Sequence, residues 1–233
     1  MQKPIVCVVA PVANRGMFNL LFYQLMKISR FLLIPILALV SNVASAATNW
    51  TEESALAALA VTAQAKAEAC QALAVIGGPT SVPVLADLLD DRQLAAYART
   101  ALEVIDDPSA GKALLEALPK LEGQLLVGVI TSIGARRDRE AVPALTELIA
   151  DTKRGAGEAA LVALARIGGR EPLTTVIMTM TGGPDELRIP AAHAALLGAD
   201  LLSKRGNTNA AKRVLEQVRN ADLPEHIKQA ASS

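Results

Sequence analysis

The sequence predicts an all-α protein whose helix pairs stack in a row as a solenoid. Three observations predict this fold: a composition suited to helices, an apolar pattern that recurs about every 30 residues, and turn signals between the repeats. Of the 233 residues, 52% are hydrophobic but only 3% are aromatic. A β-sandwich or barrel would need more aromatic and β-branched residues, so packed helices are expected.

The beginning of the chain has the features of an export signal. A short basic stretch with Lys27 and Arg30 precedes an apolar run at 31–40, which is followed by the small residues Ala44 and Ala46 around Ser45. This order is typical of a secretory signal peptide, and cleavage is expected after Ala46. The run is shorter than the roughly 20 apolar residues of a membrane helix, so no stable span is expected after cleavage. A membrane anchor or a buried helix is the alternative.

These features divide the chain into a leader at 1–46 and a repeat domain at 47–233. The signal peptide proper is predicted at 26–46, with translation beginning at Met26, because residues 1–25 do not fit a basic n-region. The mature protein is therefore expected to be periplasmic or secreted.

Four segments align when the sequence is compared with itself at a shift of about 30 residues. In each segment, four small or aliphatic residues follow the spacing i, i+3, i+4, i+7, which places them on one face of a helix. These segments are interpreted as the first helix of each unit, because small residues let neighbouring helices approach closely. The four sets are Ala69, Ala72, Leu73 and Ile76; Ala98, Ala101, Leu102 and Ile105; Leu126, Val129, Ile130 and Ile133; and Ala160, Ala163, Leu164 and Ile167.

Each first helix is followed by a turn signal and the start of a second helix. Gly77, Gly134 and Gly168 are expected to supply the left-handed conformation that ends a helix. The second helices at Val82-Pro83 and Val142-Pro143 open with proline, which the first turn of a helix tolerates. A leading helix at 50–59 precedes units that end near Asp91, Leu121, Asp151, Gly183 and Asn220.

A unit with Ile-Gly closing the first helix and Val-Pro-x-Leu-x-x-Leu opening the second resembles the HEAT repeat, in particular the short bacterial type associated with phycobilisome lyases. The resemblance covers residues 64–219 and implies a right-handed α-solenoid of about five helix pairs. It also implies a long curved face, lined by the second helices, that binds a protein or peptide. On this analogy Asp87, Glu116 and Glu147 face a partner and form an acidic inner face. Simple solvation of these carboxylates is the alternative.

A second candidate docking site lies in a turn rich in arginine. Arg136, Arg137 and Arg139 stand beside only two acids, Asp138 and Glu140. They could dock an acidic partner, and a solvated basic turn is the alternative. All 23 acidic residues follow Ala46, whereas four of the 23 basic residues precede it, so the mature chain is net acidic. Binding of nucleic acid is therefore not expected.

The repeat domain offers few side chains for catalysis. Its histidines are His193 and His226, its one cysteine is Cys70, and it has no nucleophile elbow, P-loop or paired-histidine motif. We assign no catalytic or metal-binding residues, and no cofactor is expected. Cys70 is expected to be a buried thiol, and the methionines of Met178-Thr179-Met180 are expected to fill the core.

The predicted function is that of an exported, non-catalytic scaffold for a protein or peptide. The alternatives are a non-catalytic segment of a larger exported enzyme, or a lyase-like protein that cradles a small ligand. Residues 224–231 have the pattern of another first helix, which predicts further domains beyond Ser233. A short capping helix at this end is the alternative.

Overall fold

The computed structural model describes residues 49–232, and the predicted leader at 1–46 lies outside them. Within the described range the chain folds into helices joined by turns, without strands. The α-helices are α1 (Glu52–Ala58), α2 (Ala63–Ile76), α3 (Val82–Ala86), α4 (Ala95–Val104), α5 (Pro108–Ala117), α6 (Gly123–Arg136), α7 (Val142–Ala150), α8 (Gly157–Ile167), α9 (Arg170–Gly182), α10 (Asp185–Lys204), α11 (Thr208–Asn220) and α12 (Glu225–Ala230).

The helices form five successive pairs, which confirms the predicted α-solenoid. The pairs are α2 with α3, α4 with α5, α6 with α7, α8 with α9, and α10 with α11. The first helix of each pair contacts the first helix of the next, so that α2, α4, α6, α8 and α10 form one continuous layer. A single pair cannot bury its apolar face alone, and this stacking supplies the missing neighbours.

The aligned apolar columns lie in the seams between units, as predicted. In α4, α6 and α8 each column residue is at most 3% exposed. The first unit differs, since Ile76 at the end of α2 is 38% exposed. Ile76 lacks cover because α2 begins the layer of first helices and only the seven-residue α1 packs on its other side.

Two predicted helix ends were wrong. Helix α6 continues past Gly134, and Arg137 takes the left-handed conformation instead, with a φ of 62°. Helix α2 ends at Gly77 in an extended conformation, whereas Gly168 has the predicted positive φ, 68°. Helix α3 is also shorter than predicted, because Leu88 and Leu89 lie in turns after Ala86.

Gly134 has a packing role in place of the predicted capping role. A Cβ atom built on Gly134 would lie 2.8 Å from the Cα of Ala163, which is closer than real Cβ contacts. The backbones of α6 and α8 therefore approach each other at a glycine facing an alanine. This contact explains why the first helices carry small residues in their columns.

The fifth pair is longer than the others. Helix α10 spans Asp185–Lys204 and contains Pro190, and the short α12 packs against both α10 and α11. Ile227 of α12 is 1% exposed, so this helix belongs to the core. No helix within residues 49–232 is long and apolar enough to cross a membrane.

Arginine side chains join units of the solenoid by binding backbone carbonyls of an earlier unit. Arg154, which precedes the fourth pair, donates from Nη2 to the carbonyls of Leu118 and Leu121 in the second unit, both at 2.7 Å. Arg205 of the fifth unit donates from Nη2 to the carbonyl of Arg166 near the end of α8, at 3.3 Å. These contacts satisfy carbonyls that helix ends leave without partners.

The first turn of the solenoid depends on one carboxylate. Glu52 of α1 accepts three hydrogen bonds at Oε1: from the backbone amide of Gly78 at 3.0 Å, from Thr80 Oγ1 at 2.6 Å and from Ser81 Oγ at 2.5 Å. The hydrogen bond from Ser81 is the main cause that lowers the pKa of Glu52 below its ordinary value of 4.5. The ionised carboxylate therefore links α1 to the turn before α3.

We expect Glu52 to stabilise the fold at neutral pH and to lose this effect in acid. Because the folded pKa is depressed, the contribution is fully present above pH 4.5 and disappears as the pH falls through the folded pKa. Urea unfolding of the wild type, Glu52→Gln and the control Glu53→Gln between pH 7 and pH 3 measures this difference. The wild type should be more stable than Glu52→Gln at pH 7, and the gap should close towards pH 3. A gap that is constant with pH would contradict the proposed role of the carboxylate.

Candidate functional site

The second helices pack less closely on each other than the first helices do. Helices α3 and α5 are in contact, whereas a groove of about 520 Å³ separates α9 from α11. Consecutive first helices are in contact, and the groove between α6 and α8 has a volume of about 350 Å³. The larger open spaces between second helices are therefore the candidate binding surfaces. We call them the α3/α5 groove and the α9/α11 groove.

The α3/α5 groove brings together two of the predicted partner-binding residues. Asp87 and Glu116 both line this groove of about 450 Å³, together with Asp90, Lys112 and Lys120. Lys112 Nζ lies 3.8 Å from Glu116 Oε1. The groove is therefore mixed in charge, and the predicted acidic inner face is not formed here.

Glu147, the third predicted carboxylate, stands apart from this groove. It is exposed on α7 and does not line the space between α3 and α5. The α3/α5 groove therefore brings together the predicted carboxylates of the first two pairs only. A role for Glu147 in binding stays a prediction.

Arg136 has a structural role that the sequence did not reveal. Its Nη1 donates to the carbonyls of Leu102 and Ile105, both at 2.7 Å, and its Nη2 donates to that of Asp107 at 3.1 Å. Its Nε donates to Asp138 Oδ2 at 3.0 Å. Arg136 thus closes the C-terminal end of α4 in the preceding unit, and only 11% of its side chain is exposed. Partner binding by Arg136 itself stays an untested prediction.

The other two arginines of this turn are exposed. Arg137 is the left-handed residue that ends α6. Arg139 extends to the next unit, since a Cβ built on Gly169 would lie 3.1 Å from its Nη2. Arg139 therefore reaches the turn between α8 and α9.

The α9/α11 groove begins at this same turn. Gly168 and Gly169 have φ values of 68° and 91°, in the left-handed region that favours glycine. Arg205 lies on the other side, because a Cβ on Gly168 would be 3.2 Å from its Nη1. The positive φ values favour glycine at both positions, whereas the guanidinium groups are flexible side-chain ends that can shift.

Two exposed arginines, Arg170 on α9 and Arg213 on α11, line the α9/α11 groove. The residues that line it include no carboxylate. Its apolar part includes Leu173 and Val214, which are 7% and 6% exposed, and the half-buried Ile177. Sequence reasoning missed this groove because Arg170 and Arg213 belong to different units, and the fifth unit departs from the repeat pattern.

The isolated nucleophile and the methionines do not form a site. Cys70 is fully buried, and burial raises the pKa of its thiol to about 11. Met180 is buried as predicted, but Met178 is 66% exposed, so the core-filling interpretation was wrong for Met178. Residues 49–232 contain no group of three or more histidine, cysteine, aspartate and glutamate side chains that could hold a metal ion.

These observations define an α-solenoid whose open surfaces lie along its second helices. Residues 111–196, from α5 into α10, match the family model for HEAT repeats, so this part of the solenoid consists of HEAT repeats. No curated protein matches the sequence. The finer resemblance to the phycobilisome-lyase type stays a prediction.

Proposed function

We propose that this protein is an exported, non-catalytic scaffold that binds a protein or peptide partner in the grooves between its second helices. Solenoids present extended surfaces of this kind, and HEAT repeats commonly mediate protein interactions. One observation carries the proposal: the second helices leave grooves of about 450 and 520 Å³, whereas the groove between the first helices α6 and α8 is smaller, about 350 Å³. These volumes lie in the range of about 300–1,000 Å³ that is typical of ligand sites.

Site-specific photo-crosslinking in intact cells tests the proposed surface. A photoreactive side chain replaces Thr174 in the α9/α11 groove, Glu116 in the α3/α5 groove, or Glu68, which is exposed on the first helix α2. We expect a crosslinked protein from Thr174 or Glu116 and none from Glu68. Equal crosslinking from all three positions, or from Glu68 alone, would contradict binding by the second helices.

Export is the second part of the proposal, and it rests on the basic, apolar and small-residue segments that precede Ala47. We expect the protein recovered from the periplasm or medium to begin at Ala47. N-terminal sequencing by mass spectrometry measures this, with an Ala46→Arg variant as a control in which cleavage should be blocked. Recovery of the wild-type chain in the membrane with residues 31–40 still attached would contradict the proposal.

A further inference from the structure

We propose that the α9/α11 groove binds an acidic peptide segment of the partner protein, with the carboxylates of that segment held by Arg170 and Arg213. This inference rests on the proposed scaffold function and names the chemistry of the partner.

The residues that line the groove give it a positive charge. They include Arg170 and Arg213 and no carboxylate, although residues 47–233 as a whole are net acidic. Within residues 49–232, neither arginine forms an ion pair. Such a surface attracts a partner of negative charge.

The groups around the turn add to this positive surface. Arg139 and Arg205 lie against Gly169 and Gly168, at the end of the groove where α9 begins. Arg205 uses Nη2 to bind the carbonyl of Arg166, which holds its guanidinium in place. The positive end of the α9 dipole points to the same region. A bound peptide that continues past this turn would therefore also contact Arg139 and Arg205.

The apolar part of the groove favours a peptide over a small anion. Leu173 and Val214 form a floor, while Thr174 and Gln217 are exposed polar groups at its sides. An acidic segment that also carries aliphatic side chains would bury these on the floor while its carboxylates reach the arginines. Arginine suits this task because its planar guanidinium binds a carboxylate through two parallel hydrogen bonds.

Fluorescence anisotropy with the purified protein tests the inference. The probe is a fluorescein-labelled peptide of alternating glutamate and leucine, and the comparison peptide has glutamine in place of every glutamate. We expect the glutamate peptide to bind at least about tenfold more tightly than the glutamine peptide, with an affinity that falls as salt rises. A single-stranded oligonucleotide of equal charge should bind more weakly than the peptide.

Three charge-reversal variants locate the site. Arg170→Glu and Arg213→Glu should each weaken binding of the glutamate peptide by about tenfold or more. Lys212→Glu makes the same charge change on α11 at an exposed residue outside the groove, and binding should change by less than about twofold. Thermal unfolding compares the stability of all three variants. Arg213→Gln, which removes the charge without reversing it, provides a second measurement and should weaken binding as well.

The inference is wrong if the glutamine peptide binds equally well, or if Arg213→Glu and Lys212→Glu behave alike. Tighter binding of the oligonucleotide, lost in Arg213→Glu, would assign the groove to nucleic acid instead. If the probe at Thr174 crosslinks a protein in cells but the glutamate and glutamine peptides bind equally well, the scaffold function is supported and the proposal of an acidic partner is wrong. If neither Thr174 nor Glu116 crosslinks a protein and the peptide does not bind, both proposals fall.

Discussion

Ile133→Ala should lower the free energy of unfolding by about 2–5 kcal/mol. Ile133 is fully buried on α6, the first helix that packs between α4 and α8. Removing its side chain loses apolar burial and leaves a cavity in the seam between units, where helices that already approach closely cannot collapse into the space. Urea unfolding monitored by circular dichroism measures the change.

Arg137→Ala is the matched control for this measurement. Arg137 lies four residues along the chain on an exposed turn, and its substitution should change the free energy of unfolding by less than about 0.5 kcal/mol. Alanine and arginine have similar difficulty with the left-handed conformation at this position, so the backbone contribution should cancel. Equal effects of the two substitutions would show that Ile133 is not in a packed seam.

Arg136→Met should lower the free energy of unfolding by about 1.5–3 kcal/mol. Methionine keeps an apolar stem of similar length but cannot donate to the carbonyls of Leu102, Ile105 and Asp107. Those carbonyls lie at the end of α4, and the removal of their charged donor leaves them without a partner in a partly buried site. The stability of Arg136→Lys should lie between that of the wild type and that of Arg136→Met, because one ammonium group cannot reach as many acceptors as a guanidinium group.

The adjacent residue again gives a control for Arg136→Met. Arg137→Met changes the same residue type at an exposed position, and it should leave stability within about 0.5 kcal/mol of the wild type. Denaturant unfolding with comparison of m-values separates a loss of stability from a change in cooperativity. If the two methionine variants are equally stable, the hydrogen bonds of Arg136 do not stabilise the solenoid.

The sequence predicted the first helices well because their pattern is local. A face with the spacing i, i+3, i+4, i+7 can be read within one helix, and Leu102, Ile133 and Leu164 are buried as that pattern requires. Predicted helix ends were less accurate, since Gly134 was assigned to a turn although it packs against Ala163. A glycine in the sequence does not show whether it serves a turn or a close contact.

The candidate sites depended on neighbours that are distant in sequence. Arg136 and Arg137 are adjacent and chemically identical, yet one closes α4 and the other is exposed. Their difference arises from the stacking of the third unit on the second, which no local pattern contains. The pairing of Arg170 with Arg213 across one groove likewise requires the packing of α9 and α11.

The arginine contacts between units also limit how such a protein can change in evolution. Arg136 of the third unit donates hydrogen bonds to carbonyls of the second unit. Arg205 of the fifth unit donates to a carbonyl of the fourth unit. The acceptors are main-chain carbonyls, which every helix end has, so each contact depends on the arginine side chain of the following unit. Placing a unit without such an arginine after another would keep the apolar seam but leave the carbonyls of the preceding helix end without a side-chain donor. The polar contacts therefore restrict rearrangement of the units more than the shared apolar columns do.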